Sequence, residues 1–167
     1  MKQPKVAIVM GSDSDFPVLK SCIKVIKQFG VAVEVHVISA HRTPYRAEEF
    51  AKNARANGVD VIIGAAGKAA HLPGVLAAFT TLPVIGLPIK SSTMDGLDSL
   101  LSIVQMPKGI PVATVAIDGA DNAGILAVQI LSVGYTELQD KLTAFKEQMA
   151  TEVELKNQQL QMEVNQL

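Results

Sequence analysis

Five short runs rich in β-branched residues recur along the chain, each separated from the next by a segment long enough for a helix: VAIVM (6–10), VAVEVHVIS (31–39), VDVIIGAA (59–66), PVIGLPI (83–89) and PVATVAI (111–117). Gly, Pro, Ser or Asp bounds each run, as at the ends of buried strands. Between the first two, Val18, Leu19, Cys22, Ile23, Val25, Ile26 and Phe29 recur at three- and four-residue steps, and Gly30 supplies a helix stop. Such alternation implies a parallel sheet with helices on both faces. Right-handed crossovers then favour a flavodoxin-like three-layer α/β/α sandwich with a central five-stranded parallel sheet.

At 167 residues the chain has room for one such domain, which we place at residues 1–134. The remainder, 135–167, loses Gly and Pro, gains Gln and Glu, and carries Leu138, Leu142, Phe145, Met149 and Val153 as a helical stripe. It reads as one long C-terminal helix, an arm for packing on another subunit, with a solvated end after about residue 157 as the plainer reading. Lys plus Arg number 15 against 16 Asp plus Glu, so a net charge of -1 gives no electrostatic case for nucleic acid or an anionic membrane. With 4% aromatic residues and no Trp, there is no stacking surface for bases. Cys22 is the single cysteine, lies on an apolar helical face and is expected to be a buried filler. The start, MKQPKVAIVMGSDSD, has an apolar run too short for a signal peptide, and no run approaches a membrane span, so the cytoplasm is the expected compartment.

In open parallel sheets ligands sit beyond the carboxyl ends of the strands. That rule selects GSDSD, SAHRTP, GKAAHLPG, KSSTMDG and DGADNAG, where nearly every unusual residue lies. GSDSDFP opens the first helix, so Ser12, Ser14 and the helix N-terminus together suit a phosphate, while Ser14 or Asp15 as a simple N-cap is the structural alternative. Neither Gly-x-x-x-x-Gly-Lys nor Gly-x-Gly-x-x-Gly occurs, which disfavours a nucleoside triphosphate or a dinucleotide. His36 alternates with Val35 and Val37 inside a strand and reads as structural. His41 stands past the strand end with no apolar register to explain it, and Arg42 beside it offers a fork for phosphate or carboxylate, unless it merely pairs with Glu48 or Glu49. GAAGKAAHLPG (64–74) is small residue after small residue, which lets backbone approach a ligand, and it carries His71. No cysteine or patterned acid completes a ligand set around the two histidines, so no metal is expected. Gln105 and Met106 are candidates to wall a pocket. The absence of a nucleophile elbow disfavours a hydrolase. A small phosphorylated metabolite with a histidine free for proton transfer fits these loops.

MGSDSD, SAHRTP, AAHLPG, LPVIGLPI, DGLDSLLSIVQMPKGIPVATVAI and NAG together resemble the bacterial class I N5-carboxyaminoimidazole ribonucleotide mutases of the aminoimidazole ribonucleotide carboxylase superfamily, over residues 5 to about 133. The resemblance implies an isomerase of purine biosynthesis that moves the N5-carboxylate of its ribonucleotide substrate to ring carbon C4 without metal, nucleotide or organic cofactor. It implies His41 as general acid and base, Arg42, Ser12 and Ser14 on the phosphate, and Asp15 on ribose hydroxyls. Ser39, Ala66, Gly67, Lys68, His71 and Leu72 would line the pocket near the imidazole and carboxylate. It further implies a homo-octamer with sites between subunits, in the cytoplasm, supplied by an ATP-dependent N5-carboxyaminoimidazole ribonucleotide synthase. Phe16 replaces a common Trp, Ala65 and Lys68 replace common glycines, and DGADN (118–122) is a shorter loop than the family's. Direct carboxylation of aminoimidazole ribonucleotide by carbon dioxide is the nearest alternative, disfavoured by the AAHLPG and SIVQMP forms. A related enzyme for another carboxylated heterocycle and a non-catalytic phosphate-binding module of the same fold are the others.

Overall fold

A computed structural model describes residues 2–167. Five parallel strands, β1 (Lys5–Met10), β2 (Ala32–Val37), β3 (Val61–Gly67), β4 (Val84–Ile89) and β5 (Ala113–Thr114), form one sheet in the order β2-β1-β3-β4-β5. Helices α1 (Phe16–Gln28), α2 (Pro44–Asn53), α3 (Leu72–Phe79), α4 (Leu97–Val104) and α5 (Ala120–Ser132) connect or follow the strands, and α6 (Glu137–Val164) closes the chain. This is the flavodoxin-like α/β sandwich expected from the alternation.

The two-residue period of β1 divides the core. Val6, Ile8 and Met10 face α1, α5 and the start of α6, where Leu19, Cys22, Ile26, Ala127, Leu138 and Leu142 are buried. Ala7 and Val9 face the opposite layer, packed with Ala47 and Ala51 of α2, Leu76 of α3 and Ile103 of α4. Each fully buried Leu or Ile stabilises the fold by about 1.5–3 kcal/mol through the water it sheds. Cys22 is buried as expected, and desolvation, with Asp121 adding repulsion, pushes its thiol up to about 12. Gly64 shows how close the layers come: a Cβ there would stand 3.0 Å from Pro73 Cα, so any larger residue would push the start of α3 away from β3.

Two expected strands differ from their sequence reading. β2 is an edge strand whose Val35 and Val37 are exposed, because β1 is its sole neighbour. The run 111–117 shrinks to Ala113–Thr114 on the other edge. Pro111 has no N–H to give a ladder, yet the segment stays beside β4 through Val115 N–H to Gly86 O (3.1 Å) and Asp118 N–H to Pro88 O (2.9 Å). α6 is a single helix of 28 residues; Leu138 and Leu142 are buried, Phe145 meets Phe29 edge-on at 5.5 Å, and everything from residue 150 onward is exposed. Among the described residues no helix is long and apolar enough to cross a membrane.

The winding reverses between β1 and β3. The chain leaves β1 toward β2 on one side and returns to β3 on the other, so the loops after β1, β2 and β3 diverge around a crevice. Register brings their exits level: Met10 pairs with Val37 and with Ala65, and Gly67 pairs with Ile89 of β4.

Candidate active site

A cavity of about 640 Å³ opens at that crevice, lined by the ends of the first four βα loops. The eleven candidate residues, Ser12, Ser14, Asp15, Ser39, His41, Arg42, Ala66, Gly67, Lys68, His71 and Leu72, all border it. Its size suits a small metabolite.

After β1, residues Asp13–Asp15 make a single 3₁₀ turn before α1. The cap is Ser12, whose Oγ accepts from Ser14 N–H (3.3 Å) and from Ser14 Oγ–H (2.9 Å). Ser12 caps the 3₁₀ turn only; Asp15 is the N-cap residue of α1, as one sequence alternative has it, but its side chain makes no cap bond. It is buried instead, and desolvation raises its carboxyl above the ordinary aspartate range, with Asp118 and Asp13 adding repulsion and a Ser14 hydroxyl bond partly offsetting it.

The loop after β2 is locked by reciprocal bonds. Thr43 Oγ1–H donates to Ser39 O, Ser39 N–H donates to Thr43 Oγ1 (both 3.0 Å), and Thr43 N–H donates to Ser39 O (2.8 Å). Inside this clamp Ser39 Oγ accepts from both the backbone N–H (3.2 Å) and Nε–H (3.3 Å) of Arg42. Arg42 Nη2 then reaches across to Gly11 O at 3.1 Å. The guanidinium is thereby fixed against the Ser12–Ser14 turn, and among the described residues it pairs with no carboxylate; Glu48 pairs with Lys52 instead. A cation held by two anchors, next to two hydroxyls and a short turn's N–H groups, has the chemistry to receive an anion.

His41 lies between these groups and the third loop. Its Nε2 is 2.8 Å from Nδ1 of His71, with the rings edge-on at 5.0 Å. Ala66 and Gly67 end β3, and Lys68 adopts φ 56, a left-handed conformation that favours glycine. Leu72 begins α3 and closes the floor. His36 faces elsewhere, bonded to Glu34 (3.2 Å) and tilted against Phe50 at 4.9 Å.

The fourth loop also borders the cavity, with Ile89, Lys90, Ser91 and Ser92. The sequence marks no single residue of this loop, because KSSTMDG carries neither histidine nor arginine. Its place after a strand was the available signal. Ser91 is buried and shares its hydroxyl proton with both oxygens of Asp98 (2.8 and 3.0 Å), while Lys90 N–H donates to Asp118 Oδ1 at 2.9 Å. The short 118–122 loop thus braces the fourth loop from outside the cavity. Gln105 and Met106 do not border the cavity; Met106 packs toward Gly74 of α3. Among the described residues no group of three or more His, Cys, Asp or Glu is placed to hold a metal ion.

A family model described as AIR carboxylase matches residues 5–152. The chain belongs to the AIR carboxylase family. The match continues into the first half of α6, further than the motifs at 5–133 reach. A protein of Pyrococcus horikoshii named N5-carboxyaminoimidazole ribonucleotide mutase is 56% identical over 160 residues, which is 96% of this chain and 90% of that protein. A Thermotoga maritima protein of the same name is 56% identical over 158 residues, 95% of this chain and 92% of its own. In space, the AIR carboxylase fold described here superposes on the crystal structure of Treponema denticola PurE with a TM-score of 0.83 at 29% identity, covering 90% of this chain and 94% of that one.

Proposed function

We propose that this member of the AIR carboxylase family is an N5-carboxyaminoimidazole ribonucleotide mutase of purine biosynthesis. The observation that carries the reading is the single cleft that gathers His41, Arg42, Ser12 and Ser14, with the Arg42 guanidinium anchored on Gly11 O. The chain carrying it is 56% identical over nearly its full length to proteins of that name.

The substrate phosphate takes the free N–H groups of Arg42 and the Ser12 and Ser14 hydroxyls. Asp15 accepts from ribose hydroxyls, and Ser39 holds Arg42 in place. The imidazole ring of the substrate lies against Ala66, Gly67 and Leu72, where small residues admit the carboxylate close to backbone N–H groups, with Lys68 at the rim. Protonated His41 gives its proton to N5 as the N5–carboxylate bond breaks; the bonding electrons stay on nitrogen and carbon dioxide leaves. C4 then attacks that carbon dioxide, forming the new C–C bond, and the C4 proton returns to His41. Reactants and products are isomers, and His41 ends in its starting state. An imidazole, with an unperturbed pKa of about 6.5, donates and accepts near neutral pH, and such catalysis contributes about 10²–10⁴-fold. Holding carbon dioxide over C4 supplies the rest by proximity.

No second substrate, metal or organic cofactor enters this scheme. The substrate comes from an ATP-dependent N5-carboxyaminoimidazole ribonucleotide synthase, in the cytoplasm. We read residues 1–134 as the catalytic unit and 135–167 as an arm in a homo-octamer. Exposed Leu97, Leu101 and Val104 on one face of α4, and exposed Met149 and Val153 on α6, support burial against other copies.

The test is product analysis without ATP or added metal. Purified protein is given N5-carboxyaminoimidazole ribonucleotide, or aminoimidazole ribonucleotide with low bicarbonate. Fast C4-carboxylation from the first and little from the second is expected; preference for the second would make the protein a direct carboxylase.

A further inference from the structure

His41 and His71 are thirty positions apart and reach each other only because β2 and β3 deliver their loops to the same cleft. The contact between Nε2 and Nδ1 is short, at 2.8 Å. His71 is held by its own backbone: its N–H donates to Ala69 O (2.9 Å) and its carbonyl accepts from Val75 N–H (3.0 Å) at the start of α3. Among the described residues, Nδ1 of His41 and Nε2 of His71 have no hydrogen-bond partner.

A neutral imidazole carries its proton on one nitrogen and a lone pair on the other. One ring of the pair must therefore donate. If His71 donates, His41 carries its only proton on Nδ1 and has its lone pair occupied. It could then accept nothing from substrate, and giving up that proton would leave an imidazolate. If His41 donates from Nε2, its Nδ1 is a lone pair when the ring is neutral and an N–H when the ring is protonated. Only this arrangement runs acid and base chemistry at one atom while the pair stays intact. The bond becomes charge-assisted when His41 is an imidazolium, which strengthens it in the acid form.

We infer that His71 is a positioning residue that accepts Nε2–H of His41, fixes that tautomer, and leaves Nδ1 of His41 as the atom that gives a proton to N5 and recovers one from C4. The role of that atom rests on the mutase reading; the tautomer does not. His71 acts here as the carboxylate does in a catalytic triad, by selecting which nitrogen is free.

The experiment joins spectroscopy to kinetics in the full-length protein. With only three histidines in the chain, ¹⁵N solid-state NMR of histidine-labelled protein, assigned through His36 and His41 substitutions, reads the tautomer of His41 directly. Nε2–H is expected for the neutral ring. His71→Leu removes the acceptor and should mix the His41 tautomers and lower kcat by about 10–100-fold, the usual cost of losing a partner that orients an imidazole. KM should move by no more than about threefold. His71→Asn places an amide oxygen where Nδ1 stood and should restore most of kcat. Nδ1–H on His41 in the native protein, an unchanged kcat in His71→Leu, or His71→Asn no faster than His71→Leu would each overturn the inference. If the native protein does not convert the carboxylated substrate at all, the mutase reading fails, and the NMR result still decides the tautomer.

Discussion

Arg42→Ala should separate phosphate recognition from every other contact in the cleft. The guanidinium already spends Nε–H on Ser39 Oγ and one Nη2 N–H on Gly11 O, so what remains for the ligand is the outer part of the fork. A hydrogen bond to a charged group is worth about 1.5–3 kcal/mol, and each 1.4 kcal/mol is tenfold in affinity. Loss of one such bond weakens ribonucleotide binding by about 10–150-fold, toward the lower figure where the guanidinium is exposed to water. Arg42→Lys keeps the charge without the planar fork or its anchors, and should recover part of the loss. The assay is titration calorimetry with aminoimidazole ribonucleotide and, in parallel, with its nucleoside lacking the phosphate. The coupling between the two deletions isolates the pair. Affinity for the ribonucleotide should collapse in Arg42→Ala while the weaker affinity for the nucleoside holds. Equal losses for both ligands would show that Arg42 shapes the cleft without touching phosphate, and no loss for either would refute the anion site.

Asp15 gives a prediction whose sign follows from burial. Its raised carboxyl means the folded protein holds that proton more tightly than the unfolded chain, so ionised Asp15 costs stability at neutral pH. The wild type therefore regains that stability as pH falls through the raised value, and Asp15→Asn should be the more stable protein at neutral pH, with the difference gone below the ordinary aspartate range. Urea unfolding at several pH values checks this, with a loss of ribonucleotide affinity as the accompanying functional cost; a pH-independent difference would contradict it. The arm reading of α6 is tested by ending the chain at Ala150, which keeps the buried Leu138 and Leu142. Sedimentation should show a smaller assembly than the octamer expected of the full chain, with the domain still folded by circular dichroism. An octamer in the shortened protein would leave the distal helix a solvated end.

Four of the five strands match their sequence runs in position, the edge strand β2 included, and the three central ones match in burial as well. β1, β3 and β4 read as continuous apolar runs because helices cover both of their faces. β5 was overestimated for the complementary reason: an edge segment that begins with Pro111 keeps β-branched residues for contact with α4 and β4 while making only a two-residue ladder. The site was legible because parallel sheets gather their loop residues at one end, which selected Ser12, His41 and His71 before any geometry was known. The clamp of Ser39 on Arg42 and the pairing of His41 with His71 were not. Both depend on where two loops end in space, at a scale of a few tenths of an ångström that periodicity does not carry. Asp15 is the N-cap residue of α1 that chain position suggests, but the side-chain cap bond is made one turn earlier, by Ser12 on the inserted 3₁₀ turn, which periodicity does not reveal.

In the proposed reaction one imidazole, His41, makes both proton transfers. His41→Asn, assayed for turnover of N5-carboxyaminoimidazole ribonucleotide and for binding of aminoimidazole ribonucleotide in the same preparation, tests it most directly. Binding within about threefold of wild type with kcat lowered by at least about 10²-fold is the predicted result. Turnover at the native rate by His41→Asn would show that some other group moves the proton.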